Sequence, residues 1–137
     1  MIHGIGVDIV QLGRIRHALE TYGERFFNRI FCPQEIEDSE AAGHERVLCY
    51  AARFAAKEAA FKAFGHASVD VNTSGDDDPG GALSWHDFEV RTGDDGTPTL
   101  DLSDRAAEAA ERLGITRIHL SLSHTRVSAS AIVVAEK

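Results

Sequence analysis

The chain has 137 residues, 43% of them hydrophobic, and a formal net charge of −8. This length predicts one domain over residues 1–137, and the acidic balance argues against a general nucleic-acid-binding protein, which carries a basic surface. No apolar run approaches the roughly 18–20 residues of a membrane span, and the start MIHGIGVDIV is unlike a signal peptide. Cys32 and Cys49 form neither a CxxC pair nor a metal-binding spacing, so we expect reduced thiols in the cytoplasm.

The first half of the chain predicts one strand followed by helices. Residues 2–10 alternate in the manner of a strand, with Ile5, Val7 and Ile9 on one face and Asp8 on the opposite, non-core face. Apolar residues at helical spacing predict the helices that follow. They span 11–22, a short segment around 26–31, a helix that starts at Cys32-Pro33-Gln34-Glu35 with a capping-box glutamate, and a long helix over 44–64 that stops at Gly65.

The second half predicts mostly strands. Residues 66–84 are rich in Gly, Asp and Ser and lack periodicity, so we expect a mobile acidic surface loop there. The remaining pattern predicts strands over 86–92, 98–102, 117–124 and 128–136, and a helix over 104–113. Together these elements predict an α+β fold, an antiparallel sheet with one long helix and shorter helices packed on it.

Residues 11–31 form a basic segment in an otherwise acidic chain. This segment has a net charge of +2, from four arginines and two glutamates: Arg14, Arg16, Arg25, Arg29, Glu20 and Glu24. The charges fit either a surface that meets an acidic partner or an ordinary solvated helix face.

Glu58 and Lys62 stand one turn apart in the apolar run RFAAKEAAFKAFG, residues 53–65. An exposed ion pair, worth about 0.2–0.5 kcal/mol, is one interpretation of them. A metal site is another, because a half-buried carboxylate needs a partner and Mg²⁺ takes oxygen ligands from carboxylates and phosphates. Asp8 would then be the second carboxylate, and the residues alone leave both interpretations open.

Four segments together resemble the signature blocks of the holo-acyl-carrier-protein synthases, a family of small phosphopantetheinyl transferases. The segments are GIGVDIVQLGRI (4–15), Phe26…Arg29…Pro33-x-Glu35, RFAAKEAAFKAFG (53–65) and HLSLSH (119–124), and they follow the family's order. The resemblance implies a Mg²⁺-dependent transfer of the 4′-phosphopantetheine arm of coenzyme A to a serine of an apo acyl carrier protein, with release of adenosine 3′,5′-bisphosphate. It further implies a cytoplasmic homotrimer with interfacial active sites that serves lipid metabolism, in fatty acid or polyketide biosynthesis.

The resemblance also implies roles for individual residues. Asp8 and Glu58 match the family's metal ligands, and with Lys62 they match its catalytic residues. The coenzyme-binding candidates are Arg53, Lys62, Gly65 and His124, and the carrier-binding candidates are Arg14, Arg25 and Phe26. Two alternatives stay open, since Arg53 equally suits an intramolecular salt bridge and His124 equally suits a strand-end histidine bonded to the backbone.

The chain departs from the family's pattern after Gly65. Small residues and a short link are expected there, whereas this chain continues with His66-Ala67 and the acidic loop, which leaves the coenzyme contacts around residues 65–70 open. Two other functions compete with catalysis. One is a non-catalytic module that binds the carrier protein or coenzyme A, and the other is a non-enzymatic trimeric interaction protein.

Overall fold

The strands and helices of the chain follow its alternating and helical residue patterns closely. The computed structural model describes residues 1–65 and 83–137, so the predicted loop over 66–84 lies almost entirely outside the described residues. The elements are β1 Ile2–Gln11, α1 Leu12–Tyr22, α2 Glu24–Ile30, α3 Pro33–Glu40, α4 Arg46–Ala63, β2 Phe88–Thr92, β3 Pro98–Leu102, α5 Asp104–Leu113, β4 Arg117–His124 and β5 Ser128–Glu136.

Local side-chain and backbone signals set the helix ends. At the start of α3, the Glu35 carboxylate accepts a hydrogen bond of 2.8 Å from the Cys32 backbone N–H, as the capping-box pattern predicts. The last turn of α4 is followed by Gly65 with a φ of 92°, a conformation that favours glycine. Ser103 caps α5 by accepting from the Ala106 N–H over 3.1 Å.

The principal sheet has three antiparallel strands in the order β1-β5-β4, and β2 and β3 form a separate hairpin. Helix α4 packs across β1 and β5, while α1 and α3 pack against α4. The hydrophobic core lies between the sheet and these helices. None of the helices in the described ranges is long and apolar enough to cross a membrane.

The face assignment predicted for β1 is wrong. The strand turns Gly4, Gly6, Asp8 and Val10 toward α4, so Asp8 lies on the side that the helix covers. The apolar alternation was read correctly, but it does not reveal which face the chain itself covers. Here the face with glycines is the covered one, because residues without side chains let an alanine-rich helix approach closely.

The opposite face of the sheet is apolar and bare. Ile5, Val7 and Ile9 of β1 are 59%, 61% and 70% exposed, and Ile132 of β5 is 40% exposed. Val7 is registered with Ile132 across the strand pair, so these side chains form one continuous patch. An apolar patch of this kind, uncovered by the described residues, marks a surface suited to a protein partner.

Candidate active site

Three charged side chains meet where β1 crosses α4. Asp8 comes from the strand, and Glu58 and Lys62 come from successive turns of the helix. Lys62 Nζ lies 3.4 Å from Asp8 Oδ1 and donates a hydrogen bond of 3.0 Å to the Val7 carbonyl oxygen. The structure thus brings together the residues that the sequence proposed as the catalytic group.

The Glu58 carboxylate is held in an unfavourable setting. Burial raises the pKa of Glu58 above its ordinary value, and the negative charge of Asp8 raises it further. The positive charges of Lys62 and Arg14 oppose this shift of the Glu58 pKa. The Glu58 side chain has no hydrogen-bond partner within residues 1–65 and 83–137, so its charge is under-compensated.

Asp8 and Glu58 have the chemistry of a site for a hard divalent cation. The described residues contain no group of three or more His, Cys, Asp or Glu side chains that could enclose a metal ion. Mg²⁺ does not need such a cage, because it is usually bound by one or two carboxylates together with substrate phosphates and water. Two neighbouring carboxylates, one with a raised pKa, therefore fit Mg²⁺ delivered with a phosphate-bearing ligand.

A basic pocket of about 450 Å³ lies between α1, α2 and α4. Arg14, Arg25 and Phe26 all line it, so the structure also gathers the three residues proposed to bind the carrier protein. Arg29, Tyr22 and apolar side chains contribute the rest of the wall, and Phe26 stacks on Phe54 with ring centroids 6.4 Å apart. The pocket adjoins the charged cluster, because Arg14 is close enough to Glu58 to lower its pKa.

His124 occupies a different surface. It ends β4 and lines a second pocket, of about 480 Å³, whose wall shares no residue with the basic pocket. Other charged or titratable residues of this second pocket are Arg16, His44, Glu45 and Arg126. No hydrogen bond or ion pair among the described residues links His124 to Asp8, Glu58 or Lys62.

Arg53 makes no hydrogen bond or ion pair with the charged cluster among the described residues, whereas the Gly65 N–H donates to the Lys62 carbonyl oxygen over 3.0 Å at the end of α4. The Arg53 side chain is largely buried, with Nη2 3.8 Å from Asp38 Oδ2 and Nη1 donating to the Cys49 carbonyl over 3.4 Å. Arg53 thus forms the intramolecular salt bridge that was one of the two alternatives, and its contact with coenzyme A stays a prediction. Gly65 is the last described residue before 66–82, so the predicted coenzyme contacts at residues 66–70 lie outside the described residues.

Sequence reasoning missed the role of Lys57. Its side chain is fully buried, and Nζ lies 2.7 Å from Glu35 Oε1 while donating to the carbonyls of Trp85 and Phe88 over 2.9 and 2.6 Å. The second oxygen of Glu35 accepts from the Val90 N–H over 2.9 Å. The spacing could have revealed this, because Lys57 follows Phe54 by three residues and precedes Phe61 by four, on the buried side of α4.

Known proteins are similar to this chain along nearly its whole length. A family model described as the 4′-phosphopantetheinyl transferase superfamily matches residues 4–128. A holo-[acyl-carrier-protein] synthase from Koribacter versatilis (strain Ellin345) is 44% identical, over 99% of each chain. The crystal structure of holo-[acyl-carrier-protein] synthase from Neisseria meningitidis covers 100% of both chains, with a TM-score of 0.85 and 35% identity.

A second solved structure adds a ligand to the comparison. It is a holo-(acyl-carrier-protein) synthase from Bacillus anthracis in complex with CoA (3′,5′-ADP), which is 34% identical, covers 98% of this chain and 96% of its own, and gives a TM-score of 0.74. These matches confirm the predicted α+β fold and the predicted enzyme class. The chain therefore belongs to the 4′-phosphopantetheinyl transferase superfamily, among its holo-[acyl-carrier-protein] synthases.

Proposed function

We propose that this chain transfers the 4′-phosphopantetheine arm of coenzyme A to a serine of an apo acyl carrier protein. The observation that carries the proposal is the meeting of Asp8, Glu58 and Lys62 beside a basic pocket. The named activity of the relatives and the coenzyme A complex of the Bacillus anthracis enzyme support it. A serine hydroxyl and a pyrophosphate linkage would meet at the charged cluster.

The reaction replaces a phosphoanhydride bond of coenzyme A by a phosphoester bond to serine. The serine oxygen attacks the phosphorus next to the pantetheine arm, the bridging P–O bond breaks, and adenosine 3′,5′-bisphosphate leaves with the bonding electrons. Lys62 stands to stabilise the leaving phosphate oxygen. Glu58 stands to accept the serine proton, directly or through a water on the metal ion that it would hold.

Asp8 and Glu58 would hold Mg²⁺ in this proposal. When bound, Mg²⁺ supplies positive charge against the phosphate oxygens, which is where negative charge builds up during phosphoryl transfer. Support comes from the under-compensated negative charge of the two carboxylates: Lys62 lies 3.4 Å from Asp8, and Glu58 has no hydrogen-bond or ion-pair partner among the described residues. The remaining catalytic effect would come from orientation of the two substrates by this chain's own side chains.

The carrier protein would dock on the basic pocket. Arg14 and Arg25 would face acidic groups around the carrier's serine, and Phe26 would supply an apolar contact. A carrier seated there would approach Glu58, since Arg14 both lines the pocket and acts on the Glu58 charge. This arrangement explains why an acidic protein carries a local excess of arginine.

We also propose that the working form is a homotrimer whose active sites lie between subunits. The bare apolar face of the sheet, with Val7 and Ile132 at its centre, is suited to contact with another copy. His124, which makes no polar link to the charged cluster within the described residues, would complete the coenzyme site of a neighbouring copy. Sedimentation equilibrium should report a trimer, Val7→Arg should dissociate it, and an active monomer would refute the assembly.

A mass-spectrometric assay tests the reaction directly. Incubation with coenzyme A, Mg²⁺ and an apo carrier should increase the carrier's mass by one phosphopantetheine arm. A carrier whose acceptor serine is replaced by alanine should keep its mass, as should the wild-type carrier in the presence of EDTA. Tight coenzyme A or carrier binding without any mass increase would instead favour the non-catalytic binding module.

We place the reaction in the cytoplasm, where the free thiols of Cys32 and Cys49 would stay reduced.

A further inference from the structure

Strand β1 and helix α4 touch through their backbones. A Cβ atom added to Gly6 would overlap the Ala59 carbonyl oxygen and lie 2.7 Å from the Ala59 carbonyl carbon and 2.9 Å from the Ala63 nitrogen. A Cβ added to Gly4 would overlap the Ala63 carbonyl oxygen. All these obstacles are helix backbone atoms, so no side-chain rotation can remove them and the strand or the helix must move.

Backbone conformation does not explain the glycine at position 6. Its φ is not among the positive values found at other glycines of the described residues, such as Gly65 and Gly114. Gly6 also sits inside a regular antiparallel ladder, registered with Val133. In a strand interior glycine is ordinarily unfavourable, so the close approach to α4 is the feature that requires it.

The same close approach sets the geometry of the charged cluster. Asp8 follows Gly6 by two residues and lies on the same face of β1, and Glu58 and Lys62 flank Ala59 on α4. Lys62 spans the two elements, with hydrogen bonds to the Val7 carbonyl and to Asp8. A shift large enough to admit a methyl group at position 6 would therefore separate Asp8 from both helix residues.

We propose that Gly6 is a positioning residue for turnover: it lets β1 approach α4 closely enough for Asp8 to act together with Glu58 and Lys62. This inference rests on the proposed function. Displacement of a reacting group by about 1 Å can cost on the order of 100-fold in rate. Gly6→Ala should therefore lower kcat by about that factor and weaken Mg²⁺ binding in the presence of coenzyme A, measured by calorimetry.

Gly13→Ala is the matched control. It adds the same methyl group at a helical glycine where nothing lies within 4 Å of the new atom. Its kcat and Mg²⁺ affinity should match those of the wild type. The carrier KM of Gly6→Ala should change far less than its kcat, because most of the basic pocket is built by α1 and α2 rather than by β1.

A double-substitution cycle separates positioning from general stability. Asp8→Glu should lower kcat in the wild-type background, where the longer side chain is misplaced. Combined with Gly6→Ala, the extra methylene should extend the displaced carboxylate back toward α4 and recover part of the lost kcat. A merely structural glycine predicts that the two effects on ln kcat add.

Several outcomes would overturn the inference. One is a folded Gly6→Ala variant with wild-type kcat and Mg²⁺ affinity, and another is additivity of the two effects in the cycle. A third is failure of both Gly6→Ala and the alternative Gly4→Ala to yield folded protein, because that result would assign the two glycines to folding. A wild-type protein that binds Mg²⁺ and coenzyme A but transfers nothing would refute the proposed function alone. The affinity comparison between Gly6→Ala and Gly13→Ala would still decide whether Gly6 positions Asp8 with Glu58 for Mg²⁺ binding.

Discussion

Lys57 and Glu58 are neighbours on α4, yet their surroundings differ completely. Lys57 is fully buried and its ammonium group contacts the Glu35 carboxylate and two backbone carbonyls. Glu58 is half-buried, has no hydrogen-bond partner among the described residues and shares its surroundings with the like charge of Asp8. The contrast teaches that the satisfied charge serves the fold, whereas the under-compensated charge is available for a ligand.

The buried pair joins distant parts of the chain. Glu35 caps α3 and also accepts from the Val90 N–H, and Lys57 reaches the segment around Trp85 and Phe88. Cys32 lies in the same region, with its sulfur 3.9 Å from Lys57 Nζ. Burial raises the pKa of the Cys32 thiol to about 11, so this cysteine is a protonated, unreactive part of the core at neutral pH.

The largest expected effect breaks the buried pair. Lys57→Met leaves the Glu35 charge buried without its cation and two carbonyls without their donor, so the free energy of unfolding should fall by about 3–5 kcal/mol. Urea denaturation followed by circular dichroism measures this change. Lys62→Met, a matched substitution two-fifths exposed on the same helix, should alter the free energy of unfolding by no more than about 0.5 kcal/mol. Equal losses in the two variants would contradict the contrast.

Removing either carboxylate of the charged cluster should act on turnover. Asp8→Ala and Glu58→Ala should each lower kcat by on the order of 10²–10³, the usual cost of losing an electrostatic stabiliser of the transition state. Carrier modification measured by mass spectrometry at several Mg²⁺ concentrations reports the effect, and circular dichroism checks the fold. Near-normal Mg²⁺-dependent turnover in both variants would reject their assignment as metal ligands.

Charge reversal in the basic pocket should act on one substrate only. Arg14→Glu should raise the carrier KM by about 10-fold, flatten its salt dependence and leave the coenzyme A KM nearly unchanged, since rim charges mainly govern association. Arg112→Glu, at the exposed end of α5, is the control and should change neither KM. An unaltered carrier KM and salt slope for Arg14→Glu would remove this pocket from the docking surface.

The smallest effect concerns stability and pH. Because the pKa of Glu58 is raised in the folded chain, ionisation of Glu58 destabilises the fold, and the lost stability returns as the pH falls through the raised pKa toward the ordinary carboxyl value of 4.5, below which it is fully present. In EDTA, Glu58→Gln should therefore be more stable than the wild type at neutral pH, and the difference should shrink toward pH 4. Thermal melts across this range measure it. The electrostatic account would be contradicted if the stability of Glu58→Gln relative to the wild type were lower at neutral pH than at acidic pH.

Local sequence signals were sufficient for the elements but not for the side each residue faces. The alternation in β1 and the Ser103 and Gly65 boundaries predicted secondary structure correctly, because those signals act within a few residues. The covered face of β1 depends on how closely α4 approaches Gly6, which is a tertiary property. The partner of Lys57 is likewise set by tertiary structure: it is Glu35, 22 positions earlier in the sequence, and no local pattern predicts that pairing.

The residues of the charged cluster were predictable, but the set of site residues that one chain brings together was not. The resemblance supplied Asp8, Glu58 and Lys62, and the crossing of β1 and α4 brings them together. The same resemblance supplied His124 through the HLSLSH segment (119–124), yet His124 lines a different pocket of the chain. A contact between copies of the chain would not be visible in the sequence pattern of one copy.

The most direct test of the contrast compares two variants for both stability and turnover. In Glu35→Leu/Lys57→Met apolar side chains of similar volume replace the buried pair, so no buried charge is left alone. The Cys32 and Val90 N–H groups and the Trp85 and Phe88 carbonyls lose their partners, so this double variant should be less stable than the wild type. We predict that its folded form nevertheless keeps a kcat within a few-fold of wild type, whereas folded Lys62→Met loses on the order of 10²-fold or more in kcat. If the folded double variant lost as much kcat as Lys62→Met, the buried pair would have a chemical role and the central claim would be wrong.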